Sequence, residues 1–228
     1  MLRINHQTVW LFDLDNTLHD AGAHVFGDLK LSMGAFIQRE LKVDADEAWR
    51  LSQRYWLRYG ATLLGLVRHH GVTPAHFLHD THRLPGLEQR VIGHSHDFAA
   101  LARLPGRKFI LTNAPRAYAL RVLGALGIGR LFDGVIAIED MAMFGHLRPK
   151  PDARMLRAVA VRLGVVPQRC VLVEDTLAHQ KSARSLGMGT VWMQRFARRG
   201  NEFGHAAVRW SMQPAYVDRR VRKLAALL

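Results

Sequence analysis

Asp13 and Asp15 stand two residues apart, directly after the apolar run Val9-Trp10-Leu11-Phe12. A second carboxylate pair, Glu174 and Asp175, follows Val171-Leu172-Val173 in the same way. Between them in the chain, Thr112 and Asn113 close the run Phe109-Ile110-Leu111, and Lys150 lies in the loop Arg148–Asp152. Four carboxylates brought together repel one another unless a cation sits among them. Oxygen donors with no nearby Cys or His set select a hard ion, Mg²⁺ by default, with Mn²⁺ also accepting oxygen. Lys150 and the Thr112 hydroxyl suit phosphate oxygens. Metal, nucleophilic carboxylate, lysine and hydroxyl together point to phosphoryl transfer through an aspartyl-phosphate. The grouping carries this reading. Taken singly, Asp13 and Asp15 could form a turn and helix cap, Thr112-Asn113 a turn, and Lys150 a solvated loop residue. Glu174-Asp175 could cap the following helix, a task open to Thr176 as well.

For these groups to meet, the runs before them must lie in one sheet. Short apolar runs ending in polar residues read as buried strands, expected at 9–12, 109–111, 135–138, 171–173 and 190–193. Helical spacing joins them: Ala119, Val122, Leu123 and Leu126 before Gly127 or Gly129, then Leu156, Val159, Ala160 and Leu163 after Pro151-Asp152. A further helix over 178–186 stops at Gly187. Alternating strands and helices predict an α/β class with a Rossmann-like parallel sheet, whose ligands bind beyond the carboxyl ends of the strands. Residues 20–100 are far more than a strand-to-helix connection needs. Their stretches 25–42, 45–59 and 63–70 carry apolar residues at three- and four-residue intervals, so we expect an inserted helical cap. The expected core is 1–19 with 101–228, the cap 20–100, and the hinges lie near His19–Gly22 and His96–Leu104.

Composition narrows the class. With 49% hydrophobic residues in 228 and no low-complexity tract, the chain is globular. One cysteine, Cys170, excludes an intrachain disulfide framework and fits a reducing compartment. Asp13 and Asp15 interrupt any signal-peptide core, and no apolar stretch approaches the ~20 residues of a membrane span, so a cytoplasmic protein is expected. The net charge of +13 comes largely from 26 arginines and favours anionic partners without choosing among them. His76, His79 and His82 recur at three-residue intervals, which fits an exposed helix edge; a zinc site would need facing ligands. The basic stretch 195–223 could face RNA, yet nothing in it resembles a nucleic-acid-binding motif. There we expect a strand near Ala207-Val208 and a solvated helix over 215–227. The rival class is a non-catalytic nucleic-acid-associated protein, which would require a lost catalytic residue. Asp13, Asp15, Lys150 and Asp175 are all present.

Asp13-Leu14-Asp15-Asn16-Thr17-Leu18, Leu111-Thr112-Asn113, Lys150-Pro151 and Glu174-Asp175-Thr176 resemble, in order, the four motifs of the haloacid dehalogenase superfamily. Their spacings, 100 residues from Asp13 to Asn113, 37 to Lys150 and 25 to Asp175, leave room for a helical cap after the first motif. The resemblance covers about residues 7–195. It implies Asp13 as nucleophile and Asp15 as general acid/base, with Thr112 and the Asn113 backbone holding phosphoryl oxygens. Lys150 would balance their charge. Mg²⁺ would be bound by Asp13, Asp175 and the Asp15 carbonyl, with Glu174 a ligand or its neighbour. An acid two residues after the nucleophile favours a phosphatase over a dehalogenase. Tyr59-Gly60-Ala61-Thr62-Leu63-Leu64-Gly65-Leu66 and Leu131-Phe132-Asp133-Gly134 further resemble the pyrimidine 5′-nucleotidase branch, which implies UMP and CMP as substrates. Trp56, Tyr55 and Tyr59 could then stack on a base, with Arg54, Arg58 or Thr62 at its polar edges, or the aromatics could simply form the cap's core. His19-Asp20-Ala21-Gly22 stands where relatives often carry Tyr and Pro. Phosphoglycolate, a sugar phosphate or, less readily, a phosphomutase reaction are the alternatives.

Overall fold

The computed structural model describes residues 4–196 and 212–228. The chain forms two compact units, Met1–Ala21 with Val91–Leu228, and Gly22–Arg90. In chain order the described elements begin with β1 (Val9–Phe12), α1 (Ala21–His24), α2 (Phe26–Leu41), α3 (Ala45–Tyr59), α4 (Thr62–His70), α5 (Pro74–Thr81) and α6 (Leu87–Arg90). Next come α7 (Ser95–Arg103), β2 (Arg107–Leu111), α8 (Arg116–Leu126), β3 (Gly134–Ile136) and a small hairpin, β4 (Ala142–Met143) with β5 (His146–Leu147). The chain closes with α9 (Ala153–Arg162), β6 (Cys170–Glu174), α10 (Leu177–Ser185), β7 (Gly189–Met193) and β8 (Arg219–Val221).

The first unit is built on a parallel sheet in the order β3-β2-β1-β6-β7-β8. Every residue of β1 is buried, as a strand with neighbours on both edges and cover on both faces requires. Leu11, Leu111, Ile136, Leu172, Met155, Leu156 and Ala183 meet in the core on one side of the sheet. The β1–β2 register is held at its start by Arg107 N donating to Thr8 O at 3.1 Å. Gly106 permits that approach: its φ is +91°, and a Cβ there would lie 2.1 Å from Thr8 O.

Two expectations change here. The run 135–138 is a strand only to Ile136, because Asp140 Oδ2 accepts from Ala137 N at 2.9 Å and turns Ile138–Met141 into a 3₁₀ segment. The expected helix over 215–227 is strand β8 followed by a 3₁₀ turn, Leu224–Leu227. Val217, Val221, Leu224 and Leu227 are all buried, so their helix-like spacing arises from two different elements packed on one face. Asp218 fixes the strand's entry, accepting from Thr190 N at 3.0 Å and pairing with Arg184 at 2.8 Å. The strand expected near Ala207-Val208 lies outside the described residues.

The second unit is helical. Asp44 caps α3 by accepting from Glu47 N at 2.8 Å, and Gly60, at φ +79°, ends it. A Cβ on Gly65 would stand 2.0 Å from Tyr55 Cγ, so α3 and α4 can close together only with glycine at that position. Phe36 and Phe77 meet edge to face at 5.1 Å between α2 and α5. His76 and His79 are on the exposed edge of α5, both beside Asp80. This unit ends at Arg90, short of residue 100, and α7 belongs to the first unit. Asp97 of α7 explains the placement: buried, it accepts from Leu224 N at 2.8 Å and lies 2.6 Å from Arg195 Nε.

Candidate active site

From β1 the chain builds outward to β2 and β3, then returns past β1 to lay down β6. The strand order therefore reverses between β1 and β6, where an open α/β sheet leaves a crevice at its carboxyl edge. Phe12 pairs with Val173, so Asp13 and Glu174 emerge side by side, and Asp13 N donates to Val173 O at 2.9 Å. On the other flank, Thr112 N donates to Ile136 O at 3.0 Å. Asp13, Asp15, Thr112, Asn113, Lys150, Glu174 and Asp175 thus come from four segments to one edge of the first unit.

Lys150 lies at the centre. Its Nζ is 2.6 Å from Asp13 Oδ1 and 2.7 Å from Glu174 Oε2, and its relative exposure is 1%. Burial lowers the ammonium's pKa, but the Asp13 and Glu174 carboxylates outweigh that and hold it above its ordinary value. Asn113 sets the lysine's backbone: its Nδ2 donates to Lys150 O and its Oδ1 accepts from Lys150 N, both at 2.9 Å. The Asn113 side chain is thus committed to positioning Lys150, which leaves the Asn113 backbone, the part expected to hold phosphoryl oxygens, as the group at the site. The Thr112 hydroxyl is buried and accepts from Ala114 N at 3.0 Å.

Three carboxylates, those of Asp13, Glu174 and Asp175, can each offer an oxygen within 4.8 Å of the others. Burial pushes Asp13 up to about 7, with the Glu174 charge adding and Lys150 opposing. Loss of water and the neighbouring Glu174 likewise push Asp175 well above the usual carboxylate range. Glu174 goes the other way: burial alone would raise it, but Lys150 and then His179 hold it well below its ordinary value. One ammonium cannot balance three carboxylates, and an oxygen-only donor set with that deficit fits a hard divalent ion. The Asp15 side chain lies outside this trio.

The structure adds residues that spacing alone did not single out. His19 Nε2 stands 2.9 Å from Asp15 Oδ1, and the Tyr118 hydroxyl donates to the same oxygen at 2.6 Å. Burial and Asp15 keep the Tyr118 phenol well above its ordinary pKa, so it stays a donor. Asn16, at φ +57°, supplies the tight turn that returns His19 beside Asp15, a conformation asparagine tolerates better than most residues. Thr17 donates to Asp13 Oδ2 at 3.2 Å. His179 Nδ1, on α10, lies 2.9 Å from Glu174 Oε2. Trp192 Nε1 donates to Asp175 O at 2.8 Å and fixes that loop. His19 and Thr17, each four residues after the carboxylate it meets, and His179, just after Glu174, were near enough in sequence to suggest themselves; Tyr118 and Trp192 are contacts made across the fold.

Trp56 and Tyr59 belong to the second unit. Tyr55 is buried against Gly65, and its hydroxyl lies 2.6 Å from His70 Nε2. The Tyr59 hydroxyl is 2.6 Å from His69 Nε2, and Arg58 and Arg68 lie over its ring. Thr62 is committed to Ser52, donating to its carbonyl at 3.1 Å. Trp56 is half-buried on α3. Much of this aromatic group is therefore engaged within its own unit.

A six-stranded parallel sheet with strand-end carboxylates around a buried lysine defines a Rossmann-like α/β protein with an acidic site at the sheet's carboxyl edge. A model of the haloacid dehalogenase-like hydrolases matches residues 8–187, and the chain belongs to that family. It is 27% identical over 194 residues to phosphate metabolism protein 8 of Saccharomyces cerevisiae, a match covering 80% of this chain and 60% of that protein. It is 36% identical over 80 residues to the Escherichia coli fructose-1-phosphate phosphatase YqaB, covering 35% of this chain and 40% of that one. The matched region thus spans less than two thirds of each relative. The fold is similar to that of a phosphatase of the family from Thermococcus onnurineus, with a TM-score of 0.60 at 23% identity over 96% of this chain and 95% of the other. Among the described residues no helix is long and apolar enough to cross a membrane.

Proposed function

We propose that the chain is a divalent-metal-dependent phosphomonoester hydrolase that works through an aspartyl-phosphate on Asp13, with pyrimidine 5′-mononucleotides such as UMP and CMP as its substrates. The observation that carries the chemistry is the Lys150 ammonium held between Asp13 and Glu174 at the sheet's reversal point. Asp13 attacks phosphorus, the bond to the ester oxygen breaks, and Asp15 delivers a proton to the leaving alkoxide. Asp15 then takes a proton from water, which attacks the phosphorus of the acyl phosphate and returns Asp13 as a carboxylate. Lys150 balances charge on Asp13 and the phosphoryl oxygens, and the Thr112 hydroxyl and Asn113 backbone hold those oxygens. A Mg²⁺ ion bound by Asp13, Asp175 and the Asp15 carbonyl, with Glu174 beside it, would supply electrostatic stabilisation of the phosphoryl group.

The substrate assignment rests on the cap pattern around Tyr59, with Trp56 and Tyr59 as base-contacting residues. Trp56 and Tyr59 are therefore the residues to change first. A sugar phosphate is the second reading, favoured by the similarity to the fructose-1-phosphate phosphatase. A cytoplasmic setting fits the one thiol, Cys170, buried in β6 and pushed up to about 11 by that burial.

Phosphate release from UMP, CMP, dUMP, AMP, GMP, fructose 1-phosphate and phosphoglycolate, each with Mg²⁺ and with EDTA, tests both levels. Metal-dependent release favouring UMP and CMP, absent in Asp13→Asn, supports the proposal. Release confined to the other esters keeps the chemistry and discards the nucleotide. Full activity of Asp13→Asn would rule out the covalent mechanism.

A further inference from the structure

We propose that His19 and Tyr118 are positioning residues that lock the Asp15 carboxylate in the orientation its proton transfers require. The inference rests on the reading of Asp15 as the acid and base of the reaction.

The terminal torsion of an aspartate is soft and broadly distributed, so a carboxylate on a turn does not hold its oxygens in place unaided. Asp15 is on such a turn, with 20% of its side chain exposed. Both neighbours act on one of its oxygens, Oδ1: His19 Nε2 at 2.9 Å and the Tyr118 hydroxyl at 2.6 Å. They approach from different elements, His19 from the segment after β1 and Tyr118 from the first turns of α8. Two such contacts to one atom restrain its rotation as a single contact would not. An oxygen that accepts two donors has no room for a proton of its own, so an acid proton on Asp15 belongs on Oδ2.

Each clamp residue is itself immobile. His19 is fully buried and its backbone bridges both Asp15 and Gly93, while Asp20 N donates to Ile92 O at 3.1 Å. An ionised carboxylate can only accept, so His19 must carry a proton on Nε2. Its Nδ1 is buried with no hydrogen-bond partner among the described residues, so Nε2 is the ring nitrogen that makes the contact. Tyr118 is 3% exposed and reaches Asp15 from a helix whose start follows Thr112-Asn113, so the phosphoryl-binding segment and the clamp share one anchor. A proton donor must be held within hydrogen-bond reach of the atom it serves, and small misplacements are costly.

Leaving-group dependence separates such a role from general structural support. A nitrophenolate departs without a proton, whereas an alkoxide needs one. Wild type, Asp15→Asn, Tyr118→Phe, His19→Gln and His19→Leu are assayed with Mg²⁺ on β-glycerol phosphate and on p-nitrophenyl phosphate by the pre-steady-state release of the leaving group, which precedes hydrolysis of the aspartyl-phosphate common to both esters. Tyr118→Phe should lower that rate on the alkyl ester about 10- to 100-fold, part of what a positioned acid supplies. The same step on the aryl ester should suffer far less. His19→Gln, which keeps an N–H donor, should recover most of what His19→Leu loses. Tyr118→Phe should add nothing in the Asp15→Asn background. Equal losses on both esters, or no loss on either, would overturn the clamp even while Asp15→Asn shows the selective defect. If Asp15→Asn itself shows no selective defect, the acid assignment fails, and the clamp with it. Should His19→Leu fail to fold, Tyr118→Phe and His19→Gln decide the matter.

Discussion

Replacing Lys150 by Met keeps the length of the side chain and deletes its charge. The Nζ it removes lies 2.6 Å from Asp13 and 2.7 Å from Glu174, at a position 1% exposed. Removing one partner of a buried ion pair costs about 3–5 kcal/mol, because the charge left behind has no counterpart. Asp13 escapes part of that, since at about 7 its carboxyl is already partly protonated near neutrality. Glu174 is held well below its ordinary value largely by Lys150 and loses that support outright. The low end of the range, about 3 kcal/mol, is therefore expected for the metal-free protein. For a chain of this size that is about 6–12 °C in Tm. The deficit must also depend on pH. A carboxylate depressed by a partner stabilises the fold above its unfolded pKa and loses that contribution as pH falls through its folded value. In wild type Glu174 thus contributes throughout pH 5 to 8, and in the variant it does not. Asp13, raised from 3.8 to about 7, favours the fold most below the lower value and loses that benefit as pH rises through the higher one. Lys150 opposes that rise in wild type, so without it Asp13 is raised further and the variant loses more as pH increases; both effects then widen the variant's deficit from pH 5 to pH 8. Urea unfolding in EDTA at the two pH values measures it, and adding Glu174→Gln to Lys150→Met should restore part of the loss by removing the orphaned charge. A deficit within about 1 kcal/mol at pH 8, smaller than any buried pair of this kind should give, would refute the reasoning. So would a double variant no more stable than the single one.

Asn113→Ala removes two hydrogen bonds to the Lys150 backbone and should cost about 2 kcal/mol in urea unfolding, at ~1 kcal/mol each. It should also lower kcat more than it raises KM, since it displaces Lys150 and leaves the Asn113 backbone; a pure KM effect would contradict this. Divalent-ion affinity, read by titration calorimetry, should strengthen at least about tenfold per pH unit from pH 5 towards 7, because the ion must displace the Asp13 proton and, with it, that of the raised Asp175 carboxyl. A flat profile would show that neither Asp13 nor Asp175 is a ligand. Gly65→Ala forces a Cβ into the Tyr55 ring and should destabilise the helical unit by about 1–3 kcal/mol. Faster proteolysis between Gly22 and Arg90 than in wild type would report it.

The strand-end groups were legible because each follows a short apolar run that can be nothing but a buried strand. Val9–Phe12 and Thr190–Met193 show this directly, the latter extended in the structure by Gly189. Helices α3 and α9 were legible from their spacing and from Asp44 and Asp152 at their starts. What failed was spacing that two elements share: Val217, Val221, Leu224 and Leu227 read as one helix yet divide between a strand entry, β8 and a 3₁₀ turn. The end of the helical unit failed for a related reason, since only the buried partners of Asp97 show that α7 belongs elsewhere. Within the site, Asn113 was found but its side chain's task was not, because its partner lies 37 residues away. Tyr118 was invisible for the same cause, its partner Asp15 lying 103 residues away. A tyrosine on an ordinary amphipathic helix acquires a role only from what the sheet brings beside it.

The charges explain why these parts form one machine. Asp13, Glu174 and Asp175 carry three negative charges when ionised, and Lys150 returns one. The chain on its own resolves the excess by holding Asp13 and Asp175 towards their protonated forms while Glu174 stays ionised against the lysine. On the proposed reading, a nucleophile in that condition is blunted, since its proton must leave before it can attack. A divalent ion held by these carboxylates would bring the four groups to neutrality and favour ionised Asp13, coupling metal binding to activation of the nucleophile. Glu174 then has a reason to be buried although it need not touch substrate. It keeps Lys150 charged and fixed beside Asp13, and it sets the deficit that only a doubly charged ion can fill. Into that balanced site the substrate brings its own negative charge, drawn by a chain whose net charge is +13.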